Sequence, residues 1–163
     1  MKKVTAVAVA IASCFAATAL AQEPANNNPV TRLDNVVALS CTFPASTRVT
    51  WGKGDAPPTA TVRGGSPLVL KVGEIDADLG TAVITSPTMA DASVQVYGWN
   101  LHVLEPSRSG RMLMLTVFGR ESSGGKLKAA YTSTDYLPVD LPGFVTEPTA
   151  TQYYGECEAT RRN

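Results

Sequence analysis

Along Val36 to Phe43 the apolar side chains fall on every second position, with Val37, Leu39, Cys41 and Phe43 on one face and Ser40 and Thr42 on the other. Successive side chains of an extended chain point to opposite sides, so this period marks a half-buried β-strand with Cys41 turned inward. The same spacing returns in Thr47 to Trp51, where Val49 and Trp51 share a side against Arg48 and Thr50. Pro57-Pro58 then interrupts, leaving Thr59 to Arg63 as a short edge segment.

Leu68, Leu70 and Val72 alternate ahead of an acidic turn, Gly73 to Gly80, and Ala82 and Ile84 carry the returning strand. Val94 and Val96 mark Ser93 to Tyr97, Gly98 breaks that run, and Leu101 to Glu105 resumes it. The turn chemistry of Pro106 to Gly110 pairs Leu101–Glu105 with Arg111–Phe118. Met112, Met114 and Phe118 oppose Leu113, Leu115 and Val117 there, so this strand is expected to be covered on both faces. Lys126 to Thr134 follows, then an irregular excursion over Leu137 to Ala150, and Thr151 to Glu158 carries Cys157 in the last strand.

The i, i+3, i+4 recurrence of a helix is nowhere sustained, and 13 glycines and 11 prolines leave little room for one. The expectation is an all-β domain of about eight or nine strands, either a small antiparallel barrel of lipocalin-like size or a β-sandwich.

Ahead of the strands, Lys2 and Lys3 precede an uncharged run from Val4 to Leu20 that ends in Ala19-Leu20-Ala21. This is the pattern of a secretory signal peptide, residues 1–21, cleaved after Ala21. The run is alanine-rich and at the short limit for a membrane span, and the mature chain has no other stretch that could cross a bilayer. Ile11-Ala12-Ser13-Cys14 could pass for a lipoprotein box, but apolar residues would follow the anchor at Cys14 where a polar tether is expected, so a lipid anchor is disfavoured. Residues 22–32, with Pro24, Asn26-Asn27-Asn28 and Pro29, read as a flexible lead-in to a single domain over residues 33–163.

Export gives the cysteines a meaning. Of three, Cys14 leaves with the leader, and an even pair in an oxidising periplasmic or extracellular compartment implies a Cys41–Cys157 disulfide. Such a bridge ties the first strand to the last and favours a closed sheet; for a loop on the order of 100 residues it is worth about 4.7 kcal/mol in the chain-entropy model.

Charge excludes some functions. The full chain carries 14 basic and 14 acidic groups; without Lys2 and Lys3 it has 12 against 14, a net charge of −2. Arg108, Arg111, Arg120, Lys126 and Lys128 are close in sequence, but the hairpin sends them to opposite strand ends, too dilute for nucleic acid. Glu74, Asp76 and Asp78 have the alternate spacing of a calcium loop. Leu79 stands where its glycine belongs and Thr85 where its bidentate glutamate belongs, so this remains a weak metal candidate and no cofactor is expected.

Catalysis lacks parts as well. His102 is the only histidine, there is no G-x-S-x-G elbow, and both mature cysteines are committed to the bridge. Recognition is the stronger expectation. Tyr97 and Trp99 turn outward if Val94 and Val96 turn in, and together with Trp51 and His102 they form the candidate ligand or partner surface. The chain thus reads as an exported, non-catalytic binding protein for a small apolar ligand or a protein partner. Two other readings stand behind it: an inhibitor of a secreted hydrolase that uses Pro106–Gly110 or Leu137–Pro148 as a plug, and a divergent carboxylate-based enzyme.

Overall fold

A computed structural model describes residues 31–52, 56–106, 111–136 and 147–162. The expected leader, Cys14, the lead-in through Val30 and most of the two proposed plug loops lie outside the described residues. Eight strands form: β1 (Val36–Thr50), β2 (Thr59–Asp76), β3 (Thr81–Ser86), β4 (Ala90–Tyr97), β5 (Asn100–Pro106), β6 (Met112–Glu121), β7 (Leu127–Asp135) and β8 (Thr149–Arg161). Among the described residues there is no helix, and hence none long and apolar enough to cross a membrane.

Each strand pairs antiparallel with the next, and β8 returns to β1, so the sheet closes into one barrel. The all-β expectation holds, and the β1–β8 pairing excludes the sandwich. Strands expected separately are continuous: Val36–Phe43 and Thr47–Trp51 merge in β1, and Thr59–Arg63 joins Leu68–Val72 in β2. Leu101–Glu105 does pair with the strand after it, Leu101 facing Val117 and Glu105 facing Leu113.

Cys41 and Cys157 are direct register partners, fully buried, with their Cα atoms 3.9 Å apart, and they are bridged across 116 residues of sequence. The bridge therefore sits inside the seam that closes the ring. Around it, one cluster of buried side chains draws on all eight strands, including Phe43, Leu70, Ile84, Val94, Leu101, Leu115, Leu127 and Cys157. Burial of this apolar surface is the main favourable contribution to folding, at about 25 cal/mol per Å² removed from water.

Two expectations about facing are corrected. Val36 is buried and Val37 only half-buried, because the β1–β8 register shifts between Val36 and Ala38. One extra residue on β1 inverts the alternation there, so Val36 and Leu39 point inward although they are three positions apart. β6 is not covered on both sides: Leu113, Leu115 and Val117 are buried, while Met112 is 52% and Phe118 38% exposed on the outer wall. A single-layer barrel has an inside to fill and no second sheet to cover its outside.

A second bulge shifts the register between Thr42 and Ala45, opposite Gly155 of β8. A Cβ built on Gly155 would run into the Thr42 carbonyl oxygen and the Phe43 Cα, so only glycine lets β8 pass the bulge. Gly155→Ala is expected to destabilise the fold by about 1–3 kcal/mol, read as a lower urea midpoint at unchanged slope. Replacing both Cys41 and Cys157 by serine should cost about 2–5 kcal/mol. A reductant should bring the wild-type midpoint down to that of the double variant and leave the variant's own midpoint in place.

Candidate functional site

The barrel has two unlike ends. At the lower end, where β1 begins, the β4–β5 turn Gly98-Trp99 follows directly on Tyr97, whose register partner is Asn100. Gly98 adopts φ 57°, a left-handed conformation that glycine supplies without steric cost in a two-residue hairpin. Trp99 thus lies in the turn and not on a continuing strand. Both aromatic residues are open to solvent, Tyr97 at 79% and Trp99 at 57%.

Backbone hydrogen bonds hold this turn in place. The Gly119 N–H of β6 donates to the Trp99 carbonyl at 2.6 Å, and the Thr31 N–H donates to the Gly119 carbonyl at 2.9 Å. A Cβ on Gly119 would fall 2.5 Å from the Thr31 oxygen and 2.7 Å from the Trp99 oxygen, so a side chain there would push the three segments apart. The Thr31 hydroxyl also donates to Glu121 Oε1 at 2.8 Å. Leu33 continues from Thr31 into the core cluster and closes the lower end.

Next to the turn, Arg32, Leu33, Asp34, Val96, Gly98 and Trp99 line an open depression of about 340 Å³. Leu33 and Val96 make its apolar part, and Arg32 Nη2 bonds Asp34 Oδ2 at 2.8 Å on its rim. That ion pair is exposed, so it shapes the rim more than it stabilises the protein. Leu33, Arg32 and Gly119 were not singled out in the sequence; an isolated glycine within the β6 run was the one signal for them.

The four residues expected to form one surface are separated. Trp51 lies beyond the end of β1 at the upper end, near Tyr136 and Pro148, beside a shallow depression of about 160 Å³. His102 stands half-buried midway along β5 on the outer wall, its Nδ1 3.1 Å from Thr116 Oγ1, and its register partners are Gln95 and Thr116. Only Tyr97 and Trp99 stay together.

The charged clusters also separate. Asp76 Oδ1 accepts the N–H groups of Asp78 and Leu79 at 3.0 and 2.9 Å, so this carboxylate is used in shaping the β2–β3 turn. Glu74 sits one residue past Gly73 at φ 52°, within a register shift between Gly73 and Asp76. Among the described residues no group of three His, Cys, Asp or Glu side chains is placed to hold a metal ion. Arg111 precedes β6 at the upper end and donates to Ser133 Oγ at 3.4 Å, whereas Lys126 is at the lower end, 2.7 Å from Glu158. The hydrogen bond and attraction between that pair raise the lysine pKa and lower the glutamate pKa.

Towards the upper end the interior holds a ladder of rings, Phe43 to Tyr131 at 6.0 Å and Tyr131 to Tyr153 at 5.8 Å between centroids. Burial pushes the Tyr131 phenol up to about 12, with a further push from the Glu105 carboxylate and a smaller opposing pull from Arg111. No family model, curated protein or solved structure matches the chain.

A phenol whose pKa is higher folded than unfolded keeps its proton more firmly in the native state. Its contribution is intact below about pH 10 and is lost as pH rises from 10 towards 12. Absorbance at 295 nm should show one tyrosine titrating near 12 in the native protein, and Tyr131→Phe should remove that late phase. Persistence of the phase in Tyr131→Phe would mean that another tyrosine is the buried one.

Proposed function

We propose that the protein is an exported, non-catalytic binding protein that engages a protein partner through the Tyr97–Trp99 end of the barrel. The observation that carries this reading is the pairing of two exposed aromatic side chains with a 340 Å³ depression on a turn held by backbone hydrogen bonds. Tyrosine, tryptophan and arginine are the residues most enriched where binding energy concentrates, and a pre-positioned turn loses little entropy when a partner docks. The depression is open, which suits an apolar side chain of a partner better than a sequestered small molecule. The packed cluster within the barrel supports the same choice.

Export rests on the leader pattern at residues 1–21, and a Cys41–Cys157 bridge is compatible with it. The non-catalytic reading rests on His102, whose register partners are Gln95 and Thr116, so no carboxylate stands beside it in the sheet to orient it as a base.

The test is capture of exported proteins from the source cell by the mature chain, followed by affinity measurement on the purified partner. Tyr97→Ala/Trp99→Ala should weaken binding roughly 30-fold, about 2 kcal/mol, without moving the melting temperature. Trp51→Ala, at the other end of the barrel, should bind as the wild type does. Equal binding by the Tyr97/Trp99 double variant would sink the assignment of this end.

A further inference from the structure

β3 and β4 are short, and their pairing with the barrel leaves part of β2 without a neighbour. β2 pairs with β3 only from Lys71 to Asp76, whereas it pairs with β1 as far as Thr50 opposite Thr59. Above Lys71, β2 therefore has β1 on one side and, among the described residues, no strand on the other. Every residue from Thr59 to Ser66 is exposed, Val62 at 81%. Pro58 and Pro67 bound this stretch, and it contains no proline and no acid. Alternate residues of a strand turn their N–H and C=O to a given side, so eight residues offer about four unpaired positions to an incoming chain.

Beneath this edge lies a second depression, of about 240 Å³, with Phe43, Leu68 and Tyr153 as its apolar part and Ser46 and Arg63 beside them. Its size is below the roughly 300–1,000 Å³ of small-molecule sites and suits a single side chain. Ser46 is the register partner of both Arg63 and Tyr153, and Arg48, two positions along β1, lies on the same face. Arg48 and Arg63 are thus diagonal neighbours on adjacent strands. Neither is in an ion pair among the described residues. No acidic residue occurs in Val36–Gly52 or Ala56–Gly73, and towards this end Asp135 of β7 is separated from β1 by β8 and Glu105 of β5 by β6, β7 and β8.

We propose that Thr59–Ser66 captures an extended acidic segment of another protein as an added strand, with carboxylates against Arg48 and Arg63 and one apolar side chain in the Phe43–Leu68–Tyr153 depression. Main-chain pairing supplies the affinity of such an edge, and the pocket and charges select the sequence. This site lies at the opposite end of the barrel from Tyr97 and Trp99 and does not depend on them. Other occupants fit less well. The chain's own residues 22–30 contain Pro24 and Pro29, which lack the N–H a strand needs, and one acid, Glu23. A second copy would bring Arg48 and Arg63 against their own kind.

Panning a random dodecapeptide library on the mature, disulfide-bonded protein tests this. The expected winners are acidic and free of proline. Arg48→Glu/Arg63→Glu should weaken their binding at least tenfold at low salt, and methylation of alternate peptide nitrogens should abolish it. Lys128→Glu, a charge reversal on the outer wall, should leave it within twofold. Amide exchange of the complex should slow at alternate residues of Thr59–Ser66. Failure to enrich any peptide, basic or proline-rich winners, or acidic winners indifferent to N-methylation would each overturn the proposal. So would concentration-dependent dimers that protect the same amides, which would assign the edge to a second copy.

Discussion

The pairing of β1 with β8 is the constraint on which the rest of this structure depends. An open antiparallel meander of eight strands would expose an edge at each end and could not enclose a core. Once the last strand lies against the first, the inward-facing residues of the core have strands on both sides. Cys41 and Cys157 lie within that seam, as direct partners and fully buried, so the covalent link reinforces a contact made across 116 residues of sequence. Loop closure over such a separation is the costly step entropically, and a bridge acts by removing that freedom from the unfolded chain.

Closure also explains the irregularities. Closing a small barrel requires its strands to bend and coil, and β1 takes part of that bend in two register shifts against β8. One turns Val36 inward, and the other brings β1 so near β8 that residue 155 has to be glycine. Gly119 has the same role at the lower end, where the lead-in, β6 and the β4–β5 turn meet. The two glycines thus record where backbone approaches backbone, and each lies at a junction that shapes one end of the barrel.

The ends differ because the strands differ in length. β3 has 6 residues and β4 has 8, while β1 has 15 and β2 has 18. The lower end is stitched and plugged by Leu33, and it presents Tyr97 and Trp99 on a fixed turn. At the upper end Ser46, Arg48 and Arg63 lie near the Phe43–Tyr131–Tyr153 ladder, and among the described residues the Thr59–Ser66 edge has no strand beside it. A stitched turn suits contact through side chains, and a bare edge suits contact through backbone, so the two ends favour different modes of recognition.

The alternation from Leu39 to Phe43, the turn chemistry from Pro106 to Gly110, and the pair of cysteines made the β class, the pairing of Leu101–Glu105 with the strand after it, and the disulfide legible from residues alone. The outward position of Tyr97 was legible too, because Val94 and Val96 alternate with it, whereas Trp99 is exposed because it lies in the turn after Gly98. Local period and covalent valence are properties of the chain itself, and they hold whatever the fold around them. The grouping of Trp51 and His102 with those aromatics did not survive, since distance around a barrel is not distance in sequence. Nor could residues alone show that Met112 and Phe118 stay exposed on the outer wall of β6, that Val36 and not Val37 points inward, or that the edge segment Thr59–Arg63 is continuous with Leu68–Val72 in one long β2. Those facts follow from how many residues each strand contributes to a closed ring, and ring closure is a condition on all eight strands at once that no single segment encodes.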